Sequence, residues 1–170
     1  METLSLKAHP RTPARRVEAV EATLAREGDA WTIGFLVHGA EHLLLPPPAA
    51  PARTDGLWKH LCFELFVRPE GERGYFELNF SPSSRWAAYS FERYREGMAD
   101  LPLRIEPLIK GVLGAKLTLP EIGACAVGLS AVIEERDGTK SYWALKHPPG
   151  APDFHHPDCF ALTLPAPGAP

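Results

Sequence analysis

The chain has 170 residues, of which 45% are hydrophobic and 23% charged, the composition of one folded domain rather than of a disordered or fibrous chain. Eighteen Lys and Arg stand against twenty-one Asp and Glu, a formal net charge of −3, so there is no basic excess to neutralise phosphates and nucleic acid is not an expected partner. Eighteen Pro and fourteen Gly point to many short strands joined by turns.

Residues 1–16 hold no apolar run long enough for an export signal, since Leu4 and Leu6 are split by polar residues and followed by His9 and Pro10. No stretch is long and apolar enough for a membrane helix, so a cytoplasmic protein with no membrane partner is expected. Residues 3–8 are the first predicted strand. Residues 17–26 suit a helix by propensity, yet Val20, Ala22 and Leu24 alternate with charged neighbours. Glu27-Gly28-Asp29 and the apolar run 31–37 then complete a β-hairpin. Residues 45–55, with Pro46, Pro47, Pro48 and Pro51, read as an extended surface crossover. Further strands are predicted at 62–67, 74–80, 86–92, 103–109, 115–119, 125–134, 141–145 and 159–164, with a helical turn at 94–100 and a frayed tail at 165–170. About ten short strands without helices between them predict one all-β domain over residues 1–170, an antiparallel β-sandwich or jelly roll, with a closed barrel as the rival. Cys62, Cys125 and Cys159 are odd in number and widely spaced, which fits reduced thiols better than a disulfide framework.

The informative stretch is residues 54–95. Alternation gives it a core face of Leu61, Phe63, Leu65, Val67, Phe76, Leu78 and Phe80, continued by Ala87, Tyr89 and Phe91. The opposite face carries His60, Cys62, Glu64 and Phe66, then Tyr75, Glu77 and Asn79, then Trp86, Ala88 and Ser90. Pairing Arg68 with Arg73 and Phe80 with Arg85 keeps these faces consistent and sets Glu64 beside Glu77 and Asn79 beside Trp86. Two carboxylates so placed repel unless a cation, a shared proton or a bound hydroxyl lies between them. Lys59, Arg85, Arg93 and Arg95 are the internal candidates for that charge, and a ligand is the external one. A solvated or salt-bridged sheet face is the alternative to a ligand face. Flat aromatics beside a few placed polar groups are what a small-molecule site requires.

Elsewhere, His147, His155 and His156 lie near Asp153, Asp158 and Cys159 in a loop whose side chains can ligate zinc or iron, although the spacing reads equally well as loop architecture. Cys62 with His60 lacks a third orienting group for a nucleophile pair. Glu64 and Glu77 would suit a retaining glycosidase, but a domain of this size offers little cleft.

The runs DGLWKHLCFELFV, YFELNFSPSSRWAAYSFERYR and HHPDCFAL resemble bacterial DOMON-like domains, which are similar to family-nine carbohydrate-binding modules. The matching residues are Trp58, His60, Glu64, Glu77, Asn79, Ser81, Pro82, Trp86 and Tyr89, with Asp153, His155 and His156 near the end. The resemblance implies an immunoglobulin-like or jelly-roll β-sandwich, no catalytic residue, and haem or sugar as the ligand of characterised branches. Sugar-binding modules of that kind use tryptophans, which adds Trp143 to Trp58 and Trp86. The haem branches use a methionine and a histidine, and Met98 here has no recognisable haem context. The expectation is a non-catalytic module that binds a carbohydrate or related polar ligand through Trp58, His60, Glu64, Glu77, Asn79, Trp86 and Trp143. The alternatives are a metal- or haem-binding protein using His147, His155 and His156, and a protein-interaction domain.

Overall fold

Short runs of aromatic and β-branched residues, cut by glycine and proline, form strands. The computed structural model describes residues 2–107 and 113–168. Its strands are β1 (Glu2–Ala8), β2 (Ala19–Glu27), β3 (Ala30–His38), β4 (Ala52–Arg53), β5 (Cys62–Pro69), β6 (Tyr75–Phe80) and β7 (Arg85–Phe91). They continue with β8 (Ala99–Asp100), β9 (Ile105–Pro107), β10 (Leu113–Thr118), β11 (Cys125–Glu134), β12 (Lys140–Ala144) and β13 (Leu162–Leu164). The two-residue β4 and β8 are additions to the predicted set. Residues 108–109 of the predicted strand 103–109, and 169–170 of the predicted tail, lie outside the described residues. In place of a helical turn at 94–100 the chain makes a hairpin: Glu92 N–H donates to Glu96 O at 3.0 Å, Arg95 takes φ 56°, and β8 pairs with β7. The described helices are the single 3-10 turns Ala40–His42, Leu57–Lys59 and Pro157–Cys159, and none is long and apolar enough to cross a membrane.

The strands run in one sheet in the order β4-β7-β6-β5-β11-β12-β1-β2-β3-β10-β9, with β13 beside β11 and β8 beside β7. Where alternation predicts a sandwich of two antiparallel sheets, the structure shows a single curled sheet, a half-barrel, and a mixed one, because β4 pairs parallel to β7. The bend is at β1, whose residues 2–6 pair with β2 while Lys7 and Ala8 pair with β12. Curling brings the inner faces of the two halves together. Phe35 of β3 packs on Phe63 of β5 with ring centroids 4.9 Å apart, inside a core that also holds Trp31, Ile33, Leu65, Leu78, Leu129 and Ile133. The two ends of the strand order, β4 and β9, do not pair, so the barrel stays open among the described residues.

The central strands β5 and β11 are buried on both faces. Their outer face carries a second apolar cluster, with Cys62, Phe66, Tyr75, Tyr89, Phe91 and Val132 covered by Phe154 and Phe160 of the C-terminal segment. That segment lies directly on the sheet. A Cβ on Gly128 would sit 3.1 Å from the Cys159 carbonyl oxygen, a tight contact that a side chain there could make only if the segment gave by a few tenths of an ångström.

Two registers differ from the expected ones. β5 and β6 pair Glu64 with Asn79 and Phe66 with Glu77, a shift of two that changes partners and keeps faces. β6 and β7 pair Phe80 with Trp86, a shift of one that exchanges faces. The cause is the turn. Ser81 N–H donates to Arg85 O at 2.9 Å, Ser84 N–H donates to Ser81 O at 3.1 Å, and Ser84 takes φ 76°. The extra left-handed residue rotates β7, sending Ala87, Tyr89 and Phe91 to the outer face and Trp86 and Ala88 to the core.

A non-glycine residue held at φ 76° is strained, so Ser84→Gly should raise the free energy of urea unfolding by about 0.5–1 kcal/mol, and Ser84→Val should lower it by about 1–2 kcal/mol. The reverse order of the two urea midpoints would show that this residue is not left-handed and would remove the reason for the exchanged faces.

Candidate functional site

Alternate residues of β7, β6, β5, β11 and β12 share the outer face, and the registers set them in rungs. One rung runs Tyr89, Glu77, Phe66, Gly128; the next runs Ala87, Asn79, Glu64, Ser130, Ala144. Glu64 therefore faces Asn79 directly and Glu77 diagonally. All three are withdrawn from bulk water, with exposures of 2% for Glu64, 5% for Glu77 and 0% for Asn79. Ser130 Oγ donates to Glu64 Oε2 at 3.0 Å, and Asn79 Nδ2 donates to Glu77 Oε1 at 3.0 Å. Among the described residues the buried Asn79 Oδ1 has no hydrogen-bond partner.

Burial acts on both acids in the same direction. Loss of water, with the neighbouring Glu77 charge added to it, pushes the Glu64 carboxyl up to about 8, against the hydrogen bond from Ser130. Burial raises Glu77 too, while Asn79 and the Arg95 guanidinium pull it back. Burial thus favours the protonated form of the pair.

Residues 147–160 roof this floor, anchored through Asp153. Its carboxylate accepts from Arg95 Nη2 at 2.7 Å, from His155 N–H at 3.2 Å and from the Tyr94 hydroxyl. His155 hangs from the roof. Tyr75 Oη accepts from Arg95 N–H at 3.2 Å, so its own proton is free for His155 Nδ1, 2.7 Å away. This network assigns the remaining ring proton to Nε2, which stands 3.6 Å from Glu77 Oε2, too far for a hydrogen bond. Desolvation, then the charge of Arg95, lowers His155 to about 4, so the ring is neutral at pH 7.

Between floor and roof lies a cavity of about 730 Å³, a size that accommodates a small organic ligand. Glu64 and Glu77 border it, and Phe91, Val132, Tyr142 and Phe154 supply apolar walls. Trp58 stands at the rim with half of its surface exposed, and Lys59 Nζ lies over its ring at 5.6 Å.

The structure thus brings together Trp58, Glu64, Glu77 and Asn79. It separates the other candidates. His60 is largely exposed and pairs with Glu134 Oε2 at 3.1 Å. Trp86 packs against the main core, on the opposite side of the sheet from Glu64. Trp143 is 5% exposed in that same core, where its Nε1 donates to Ser141 Oγ at 2.9 Å. The three loop histidines diverge. His147 Nε2 donates to Lys7 O at 2.8 Å, His155 enters the cavity wall, and His156 Nδ1 accepts from Asp158 N–H. Among the described residues no three His, Cys, Asp or Glu side chains converge on a metal-sized position. Cys62, Cys125 and Cys159 are buried free thiols.

Several residues of the site carry no local signal. Ser130 meets Glu64 across the β5–β11 pairing, 66 residues away in sequence. Tyr142 joins from β12 and Phe154 from the roof, while Arg95, already a charge candidate in the sequence, enters through its left-handed turn. Phe91 belongs to this face because of the Ser84 turn.

No protein-family model matches the chain, and no curated protein matches it. Among solved structures, a protein of Bacteroides uniformis provisionally described as carbohydrate-binding is similar in fold, with a TM-score of 0.60 and 14% identity over 93% of this chain and 83% of that one. At such identity the likeness is one of fold.

Because the folded protein holds a Glu64 proton that the unfolded chain releases near pH 4.5, stability falls as pH rises from about 4.5 to about 8 and levels above it. Glu64→Gln keeps the shape of the protonated side chain. It should be more stable than the wild type at pH 9 and should lose that advantage at pH 5, as read from urea midpoints. Equal midpoint differences at both pH values would mean that Glu64 ionises in the fold without cost.

Proposed function

We propose that this protein is a non-catalytic binding module for a small hydroxyl-rich ligand, a carbohydrate by class, held in the cavity between the outer sheet face and the C-terminal roof. One observation carries the reading: two desolvated carboxyl groups border the cavity, and Glu64 accepts one hydrogen bond among the described residues, from Ser130 to Oε2. Acceptors so placed gain most from ligand hydroxyls, which supply the donors that water no longer provides. Phe91, Tyr142 and Phe154 offer apolar surface to the C–H faces of a sugar ring, and the indole of Trp58 can close over it from the rim. The fold likeness to a protein provisionally described as carbohydrate-binding supports this reading. So does the resemblance of the central runs to DOMON-like and family-nine modules.

The test is calorimetric titration and thermal melting with a panel of neutral hexoses, amino hexoses and disaccharides. At least one sugar should raise the melting temperature in a saturable way. Trp58→Ala should weaken that sugar about tenfold, a loss of ~1.4 kcal/mol, while the melting temperature of the free protein stays within a few degrees, because the side chain is half exposed. A wild-type melting temperature unmoved by every sugar at high millimolar concentration would overturn the proposal.

A further inference from the structure

Among the described residues no Lys or Arg forms an ion pair with Glu64 or Glu77, although Lys59, Arg95 and Lys140 also line the cavity and the Arg95 charge reaches Glu77. The four basic residues that the sequence offers as partners are engaged elsewhere: Arg85 Nη1 with Thr54 Oγ1 at 3.3 Å, Arg93 with Glu96, Arg95 with Asp153 at 2.7 Å, and Lys59 over the Trp58 ring. His155 Nε2 stands 3.6 Å from Glu77 Oε2. A structural acid in this fold looks different. Glu135, 1% exposed, accepts from the backbone N–H groups of Arg15, Arg16 and Val17 at 3.0–3.1 Å. Glu64 is equally withdrawn from water, yet among the described residues its Oε1 accepts no hydrogen bond, and the side chain borders an open cavity. Beside it the buried Asn79 Oδ1, on the same face, is also without a donor.

We infer that the ligand carries a protonated amine, making it an amino sugar, with its ammonium group set against Glu64 and Glu77. This rests on the carbohydrate reading and narrows it. An ammonium has three donors and a full charge, whereas a hydroxyl has one donor and none. It answers both deficits of the floor at once. The other charged groups at the cavity are arranged to permit this. Arg95 is matched by Asp153, Lys140 lies 3.6 Å from Glu134, and Lys59 sits with Trp58 at the rim, where water and salt screen it. The aromatic walls also favour an organic cation over a hydrated metal ion. Since burial favours the protonated form of the acid pair, seating an ammonium should expel a proton.

The experiment compares glucosamine, galactosamine and mannosamine with their parent hexoses and N-acetyl derivatives, by calorimetry at pH 7 in two buffers of different ionisation heat. The expected result is one amino hexose binding about tenfold or more tighter than its parent and its N-acetyl form, with about one proton released per ligand bound and none released by the neutral sugars. In Glu64→Gln the ratio of amino hexose to parent affinity should fall to about one; being a ratio within one variant, it is insensitive to a modest change in stability. Parent hexoses binding as tightly as the amino hexoses, or no proton release, would overturn the inference and leave the carbohydrate reading standing. No binding by any sugar would overturn both.

Discussion

Two carboxyl groups taken out of water on one face of one sheet form the constraint around which the rest is arranged. A buried acid must be neutralised, protonated or surrounded by donors, or the fold loses several kcal/mol of order-of-magnitude solvation. The chain uses two of these answers in two places. At Glu135 three backbone N–H groups converge on the carboxylate and pin residues 15–17 to the end of β11. At Glu64 and Glu77 the donors are few, the protonated form is favoured, and a cavity is left open. The first arrangement maximises stability. The second leaves hydrogen-bonding capacity unspent, which is what a binding site requires.

Keeping that pair dry depends on the roof, and the roof depends on Asp153. Its carboxylate gathers Tyr94, Arg95 and the His155 backbone, and its carbonyl accepts from Cys159 Sγ at 3.1 Å. The β7–β8 hairpin and the C-terminal segment thereby act as one cover, although 58 residues separate Arg95 from Asp153. Aromatic contacts hold the cover down: Tyr75 stacks on Phe91 with centroids 4.8 Å apart, and His155 meets Phe66 edge-on at 5.2 Å. Gly128 permits the closest approach. Binding chemistry thus sits on loops held over a rigid sheet, the usual division between scaffold and site.

A curled sheet like this one says little by itself about what is bound, because one fold can carry many sites. The likeness to the Bacteroides uniformis protein places the scaffold; the reading of the ligand comes from the two carboxyl groups that border the cavity and the few donors that reach them among the described residues. Trp58 makes the same point from the aromatic side. Of the three tryptophans that a sugar-binding resemblance singles out, Trp86 and Trp143 pack against the main core and Trp58 borders the cavity.

Composition, turn residues and period-two alternation by themselves determined that the chain is all-β, where most strands lie, and that Glu64, Glu77 and Asn79 share a face away from the core. These follow from local chemistry: alternation has a fixed period, and a shift of two preserves it. Tertiary structure decided the rest. A serine in a left-handed turn, where glycine would have announced itself, moved Trp86 into the core and Tyr89 and Phe91 out to the site. The bend at β1 made one curled sheet of what alternation reads as two. Ser130, Tyr142, Phe154 and Arg95 reached the acids through pairings and a loop that join distant segments. Alternation records which side of a strand a residue takes, but carries no information about which strand, or which roof, that side will meet.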